Sequence, residues 1–274
     1  MVAVAVLTPV VAVALFVAVV VFMPSRLLWW LFIALGVGAF AQAIRYVDGH
    51  QKQLGKVLTH ADDPELFAVV DRLCAMADVA RPVLVLSPQR QANSWVVHLP
   101  RQAPRLYLTT ALRELLTVDE LSAVIAHELA HIANRDALVM SVVAAPTRIM
   151  SNVRGGGIDG GLVLLIGGLS QIGTSLLSRY RELAADAGSA AITGRPSALA
   201  SALLKVSGST QRVPDKDLRA AAALNAFNLV AVERRHTSSK LPEPLHRPWR
   251  THPPLQSRID ALHELERAQQ SRRG

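Results

Sequence analysis

The sequence contains a single cysteine in 274 residues. A disulfide framework within the chain is therefore excluded. Cys74 stands in the apolar run LCAMA and reads as a small buried hydrophobe. Charge is scarce as well: 18% of residues are Asp, Glu, Lys or Arg, against 51% hydrophobic. That balance is too apolar for an ordinary soluble domain and directs attention to membrane segments. Acidic residues are the rarer sign, 21 against 29 basic, which leaves a net charge of +8. The chain has no internal repeat and no recognised nucleic-acid motif. Its basic excess, including the cluster VERRHTSSK, is read as residues beside a membrane surface, and no nucleic-acid partner is expected.

Two long uncharged runs are present. Residues 2–23 carry no charge and as a helix would span roughly 30 Å, the thickness of a bilayer core. A signal peptide fits poorly, because there is no basic n-region and the run is too long for an h-region. After the break PSR, residues 27–44 form a second uncharged run, with Trp29 and Trp30 placed for an interfacial belt. Residues 1–46 are thus expected to form a transmembrane hairpin that anchors the chain in a lipid bilayer. Arg45, Lys52 and Lys56 on the exit side outnumber Arg26 in the turn, which places the body in the cytoplasm.

The body, residues 47–268, reads as α+β and mainly helical, with a frayed tail over 269–274. Residues 62–80 have helical apolar spacing behind an Asp–Pro start. The stretches 82–88, 93–99 and 105–112 are short, β-branched and aromatic, and predict a small antiparallel sheet. A capping box of Thr117 and Glu120 opens a long helix that holds VIAHELAHIANRD. The glycine-rich stretch 155–168 predicts a break. The apolar runs 137–146 and 161–177 are read as buried or membrane-skirting helices in preference to further spans. Helices are expected over 175–192 and 197–208. A Pro- and Arg-rich loop covers 233–254, and a closing helix comes after it.

His127 and His131, four apart, fall on one helix face, so their ring nitrogens can meet one ion. Glu128 can then sit beside that ion without binding it. This is the spacing of H-E-x-x-H, in which zinc takes the histidines and the glutamate is the general base. Such a pattern arises by chance in roughly one chain in a hundred of this length. Without a metal, however, two histidines and a glutamate in an apolar helix would each need a partner that the flanks do not offer. A catalytic zinc needs a third protein ligand and an open fourth position. RELAAD supplies Glu182, with Asp186 four residues on to orient a ligand histidine. A closed structural zinc in a non-catalytic membrane adaptor is the alternative, but such sites are usually rich in cysteine.

HELAHIANRD, SRYRELAADAGSA and THPPLQSRIDAL, in that order, resemble the HtpX-like membrane zinc metallopeptidases, the wider family of the CAAX prenyl protease. The resemblance covers about residues 60–265. It implies a zincin-like domain with one Zn2+ held by His127, His131 and Glu182, with Glu128 as catalytic base and Asp186 behind the histidines. It also implies active-site places for His252, as a donor to the developing oxyanion, and for Arg258, which anchors either Asp186 or the substrate backbone. Asn93 matches the substrate-side strand motif, where Ser94–Trp95 stand in place of Ala–Phe. The implied activity is zinc-dependent hydrolysis of misfolded or membrane polypeptides. The implied location is the bacterial plasma membrane.

Overall fold

The computed structural model describes residues 37–38, 55–98, 102–136, 160–210, 229 and 252–272. The expected hairpin of residues 1–46 and the run 137–146 lie outside these, apart from 37–38. Among the described residues, no helix is long and apolar enough to cross a membrane. The chain divides into two compact units, one of residues 1–53 with 138–178, the other of 54–137 with 179–274.

In chain order the second unit begins with β1 (Lys56–Val57), α1 (Pro64–Ala77), β2 (Val83–Ser87), β3 (Ser94–Val97) and β4 (Arg105–Thr109). It continues with α2 (Thr110–Leu115), α3 (Val118–Ala133), α4 (Gly160–Thr193), α5 (Pro196–Thr210) and α6 (Leu255–Ser271). Of α4, the part from Arg179 onward belongs to this unit. The fold is mainly helical with one small sheet, as expected, but that sheet is mixed. Its order is β1-β2-β4-β3, with β2 parallel to β4 and the other pairs antiparallel. After β2 the chain passes β4's position to form the outer strand β3, then returns to fill the gap. Strand lengths and turn residues do not encode that order.

Four further expectations need correction. Residues 105–112 are a strand only to Thr109, whose side chain then accepts from Leu112 N and caps α2. The helix from Thr117 stops at Ala133. The glycine-rich stretch does not break the chain at 160–168, where α4 has already begun. Glycine costs a helix roughly 1 kcal/mol against alanine, a preference that surrounding structure can override. Finally, α6 runs on to Ser271, into the tail expected to fray.

Local chemistry explains the helix ends. Asp63 caps α1 by accepting from Leu66 N at 3.1 Å, with Pro64 in the first turn. The capping box of α3 is formed in both directions: Thr117 N donates to Glu120 Oε2, and Glu120 N donates to Thr117 Oγ1. Glu120 also takes Ser201 Oγ at 2.6 Å and Lys205 Nζ at 2.8 Å, which ties α3 to α5. Burial opposes its charge, but these bonds outweigh it and hold its carboxyl at about 2.

The core lies between the sheet and the helices. Leu66, Phe67, Val70 and Leu73 of α1 meet Leu84, Leu106 and Leu108 of the sheet. Val124, Ile125 and Leu129 of α3 and Leu199 and Leu203 of α5 join the same cluster. Burial of each such side chain contributes about 1.5–3 kcal/mol. Cys74 is buried here, and burial pushes its thiol up to about 11. The contact that positions the site is between α3 and α4. A Cβ on Gly188 would lie 2.7 Å from the Cβ of Ala130, so the helices touch at backbone distance. Beside it Ser189 Oγ donates to Ala123 O at 2.7 Å.

Candidate metal centre

α3 is buried along most of its length, and His127, Glu128 and His131 on it meet groups from α4 and β3. His127 is 1% exposed, Glu128 3% and Glu182 2%. His127 Nε2 and His131 Nε2 lie 3.1 Å apart. Glu182 arrives from α4, with Oε2 at 3.8 Å from His127 Nε2 and Oε1 at 3.8 Å from His131 Nε2. One donor atom from each of the three can be chosen so that all lie within 4.8 Å of one another.

Each imidazole has its own carboxylate behind it. Asp186 Oδ1 stands 2.9 Å from His127 Nδ1, and Asp136 Oδ2 stands 2.6 Å from His131 Nδ1. A neutral ring that donates from Nδ1 carries its lone pair on Nε2. The two Nε2 lone pairs then face each other across 3.1 Å, an arrangement that calls for a cation between them. Two nitrogens on one tetrahedral zinc stand about 3.3 Å apart. Two imidazoles and a carboxylate, with a second carboxylate within 2.9 Å of each outer ring nitrogen, form a donor set suited to zinc.

The surrounding charges are paired. Arg258 is buried and grips Asp186 with two prongs, Nε to Oδ2 at 2.7 Å and Nη2 to Oδ1 at 2.6 Å, and its Nη1 donates to Leu229 O at 2.6 Å. Burial opposes the charge of Asp186, but Arg258 and His127 together lower its carboxyl below the usual range. Burial likewise opposes the charge of Glu182. The adjacent His252, with His131 and Arg258, holds that carboxyl well below its usual range. His131 is raised: burial acts against its charged form, and Asp136 and Glu182 outweigh it.

His127, Glu128, His131 and Glu182 share one cavity, also walled by Val96, His98 and Leu229. His252 is buried with Nδ1 3.6 Å from Glu182 Oε2. Asn93 is buried just before β3, and its Oδ1 accepts from Leu229 N at 3.1 Å. The structure therefore brings His127, Glu128, His131, Glu182, Asp186, Arg258 and His252 together. Arg258 bonds Asp186, one of the two partners the sequence left open.

Sequence reading gave no role to Asp136, Arg181 or His98. Asp136 reaches back to His131 because α3 ends in a turn whose Arg135 takes φ 54°, left-handed for a non-glycine residue. Only the short spacing in HIANRD hinted at it. Arg181 Nη2 donates to Glu182 Oε1 at 2.9 Å, and adjacency in RYRELAAD was its one signal. His98 had none, being a lone exposed histidine whose place on the cavity wall is set by the strand order.

Comparison with known proteins identifies the family. The family model described as Peptidase family M48 matches residues 60–266. Protease HtpX homolog of Moorella thermoacetica is 36% identical over 238 residues, covering 80% of this chain and 77% of that protein. Protease HtpX homolog 1 of Streptomyces coelicolor is 37% identical over 227 residues, covering 76% of this chain and 73% of that protein. The crystal structure of S. mikatae Ste24p shares the fold at TM-score 0.56 and 17% identity, over 91% of this chain and 62% of that one. The two helices that gather His127, His131 and Glu182 lie inside the matched stretch, in a chain this similar to HtpX proteases: this chain belongs to peptidase family M48 and is a metallopeptidase.

Proposed function

We propose that the chain is a membrane-anchored zinc endopeptidase in which His127, His131 and Glu182 hold the ion and Glu128 is the general base. The supporting observation is the convergence of three donor groups within 4.8 Å, with the Glu128 carboxylate in the same cavity. Three protein ligands leave a fourth position for solvent or substrate, as a catalytic zinc requires. When bound, zinc polarises a peptide carbonyl and makes a water acidic near neutral pH.

The chain's own residues do the rest. Glu128 takes the proton from the attacking water and hands it to the leaving amine. His252 donates to the carbonyl oxygen as it gains charge, and loss of such a donor costs ~10²–10³ in kcat. Its buried place beside Glu182 supports that assignment. Asp186 and Asp136 keep each ring in the tautomer that presents Nε2. Arg258 is committed to Asp186 and Leu229 and holds the centre, not the substrate.

The substrate is an extended polypeptide, misfolded or membrane-embedded, laid along β3. Among the described residues that strand pairs on one side only. Val96 reaches the cavity from it and His98 from just beyond it. Asn93 braces its start. Main-chain pairing of this kind holds many sequences with little preference, which suits quality control.

Glu128→Gln tests the base. The variant is expected to keep its zinc and to lose cleavage of an unfolded casein substrate; cleavage at the wild-type rate would remove Glu128 from that role. The uncharged runs 2–23 and 27–44 support an anchor in a bacterial plasma membrane, with the catalytic unit in the cytoplasm. After alkaline carbonate washing the full chain should stay in the membrane pellet. Release into the supernatant would contradict the anchor.

A further inference from the structure

Ser94 opens β3 and is fully buried. Its Oγ donates to Glu128 Oε1 at 2.6 Å, across 34 residues of sequence. A hydroxyl held to a carboxylate at that distance is among the stronger hydrogen bonds a protein makes. Glu128 has no other hydrogen-bond partner among the described residues.

The strand fixes where that hydroxyl points. Side chains alternate along β3. Trp95 and Val97 turn to one face, where Trp95 stacks on Tyr107 with ring centroids 4.9 Å apart. Val96 turns to the other, against the main core and the cavity, and Ser94 reaches Glu128 on the same side. The backbone at this point is held at several places. Ser94 pairs with Leu108 across the ladder, Asn93 N donates to Thr109 Oγ1 at 2.9 Å, and Thr109 N donates to Asn93 O at 3.1 Å. Glu128, by contrast, has three rotatable side-chain bonds and begins on a different element.

We propose that Ser94 is a positioning residue for hydrolysis: by pinning Oε1 of Glu128 from the rigid start of β3, it presents Oε2 to the cavity in one orientation. The proposal rests on the reading of Glu128 as general base. A base works only within hydrogen-bond reach of the proton it takes, and a misplacement near 1 Å can cost about a hundredfold. The same strand is the one proposed to receive the substrate, so base and substrate are registered against a single element.

The test uses the full-length protein in detergent, with kcat, KM, zinc content and melting temperature measured for each variant. Ser94→Ala is expected to keep zinc and KM and to lose about ten- to a hundredfold in kcat. Ser94→Thr keeps the hydroxyl and should recover most of that loss. Ser94→Cys fills the site with a weak donor and should fall as Ser94→Ala does; it carries the test if the alanine variant fails to fold. Glu128→Asp draws the carboxylate back from the hydroxyl, so Ser94→Ala added to it should cost less than threefold further. Wild-type kcat in Ser94→Ala or Ser94→Cys, or a full extra loss in the Glu128→Asp background, would overturn the positioning role. Those results beside an inert Glu128→Gln would leave the base intact, whereas an active Glu128→Gln would overturn the base itself.

Discussion

Asp186 and Asp136 divide the two imidazoles between them, and Arg258 in turn divides its guanidinium between Asp186 and the carbonyl of Leu229. The residue scale is therefore a chain of dependence that ends at the candidate metal ligands. Arg258→Lys keeps the charge but loses the planar fork that makes two parallel bonds to Asp186. Zinc affinity, measured by competition with a chelator, is expected to fall about ten- to a hundredfold, the usual cost of disturbing a ligand's supporting partner. An unchanged affinity would show that Asp186 holds its place without the fork. His127, Glu128 and His131 were legible in the sequence because i, i+4 spacing on a helix is already geometry. Glu182 was legible because the same rule applies to RELAAD. The serine bound to Glu128 was not, since nothing local to NSW names a partner 34 residues away.

At the scale of elements, the decisive fact is how close α4 comes to α3. Gly188 is six residues beyond Glu182 on α4, and Ala130 lies immediately before His131 on α3. A methyl on Gly188 would meet Ala130 Cβ at 2.7 Å, too short for two carbons, and neither side chain is long enough to swing aside. Gly188→Ala should therefore push the helices apart and destabilise the fold by about 1–3 kcal/mol. It should also weaken zinc binding, because the carboxylate and the imidazoles sit on the two helices being separated. A melting temperature and zinc affinity equal to wild type would show that the helices can shift without loss. The helix periods and the capping box of Thr117 and Glu120 were readable, since both depend on residues within one or two turns. The mixed sheet was not. β2 and β4 pair in parallel because β3 takes the outer edge, and the choice between that and a plain antiparallel meander depends on contacts between distant segments. The end of α3 at Ala133 was hidden for a related reason: Arg135 adopts a left-handed turn that its side chain does not advertise, while Asp136 gains a bond to His131. Holding a non-glycine residue there costs of order 1 kcal/mol, and such strain gathers at functional sites.

At the scale of the whole molecule, the three candidate ligands all lie within one of the two units. The candidate ligands, and the carboxylates and arginine behind them, come from α3, α4, the turn after α3 and α6. The stretch matched by the M48 family model, residues 60–266, contains all of them. The net charge of +8 and the uncharged N-terminal runs belong to the proposed setting beside a membrane and do not enter the chemistry. The proposed chemistry requires that two imidazoles from α3 and one carboxylate from α4 grip a single ion. Metal analysis of the purified full-length protein, wild type against His127→Ala, His131→Ala and Glu182→Ala, tests it directly. One zinc per chain is expected in the wild type, and a small fraction of that in each variant after dialysis against a mild chelator. Full zinc occupancy in Glu182→Ala, or a wild type that retains none, would contradict the account.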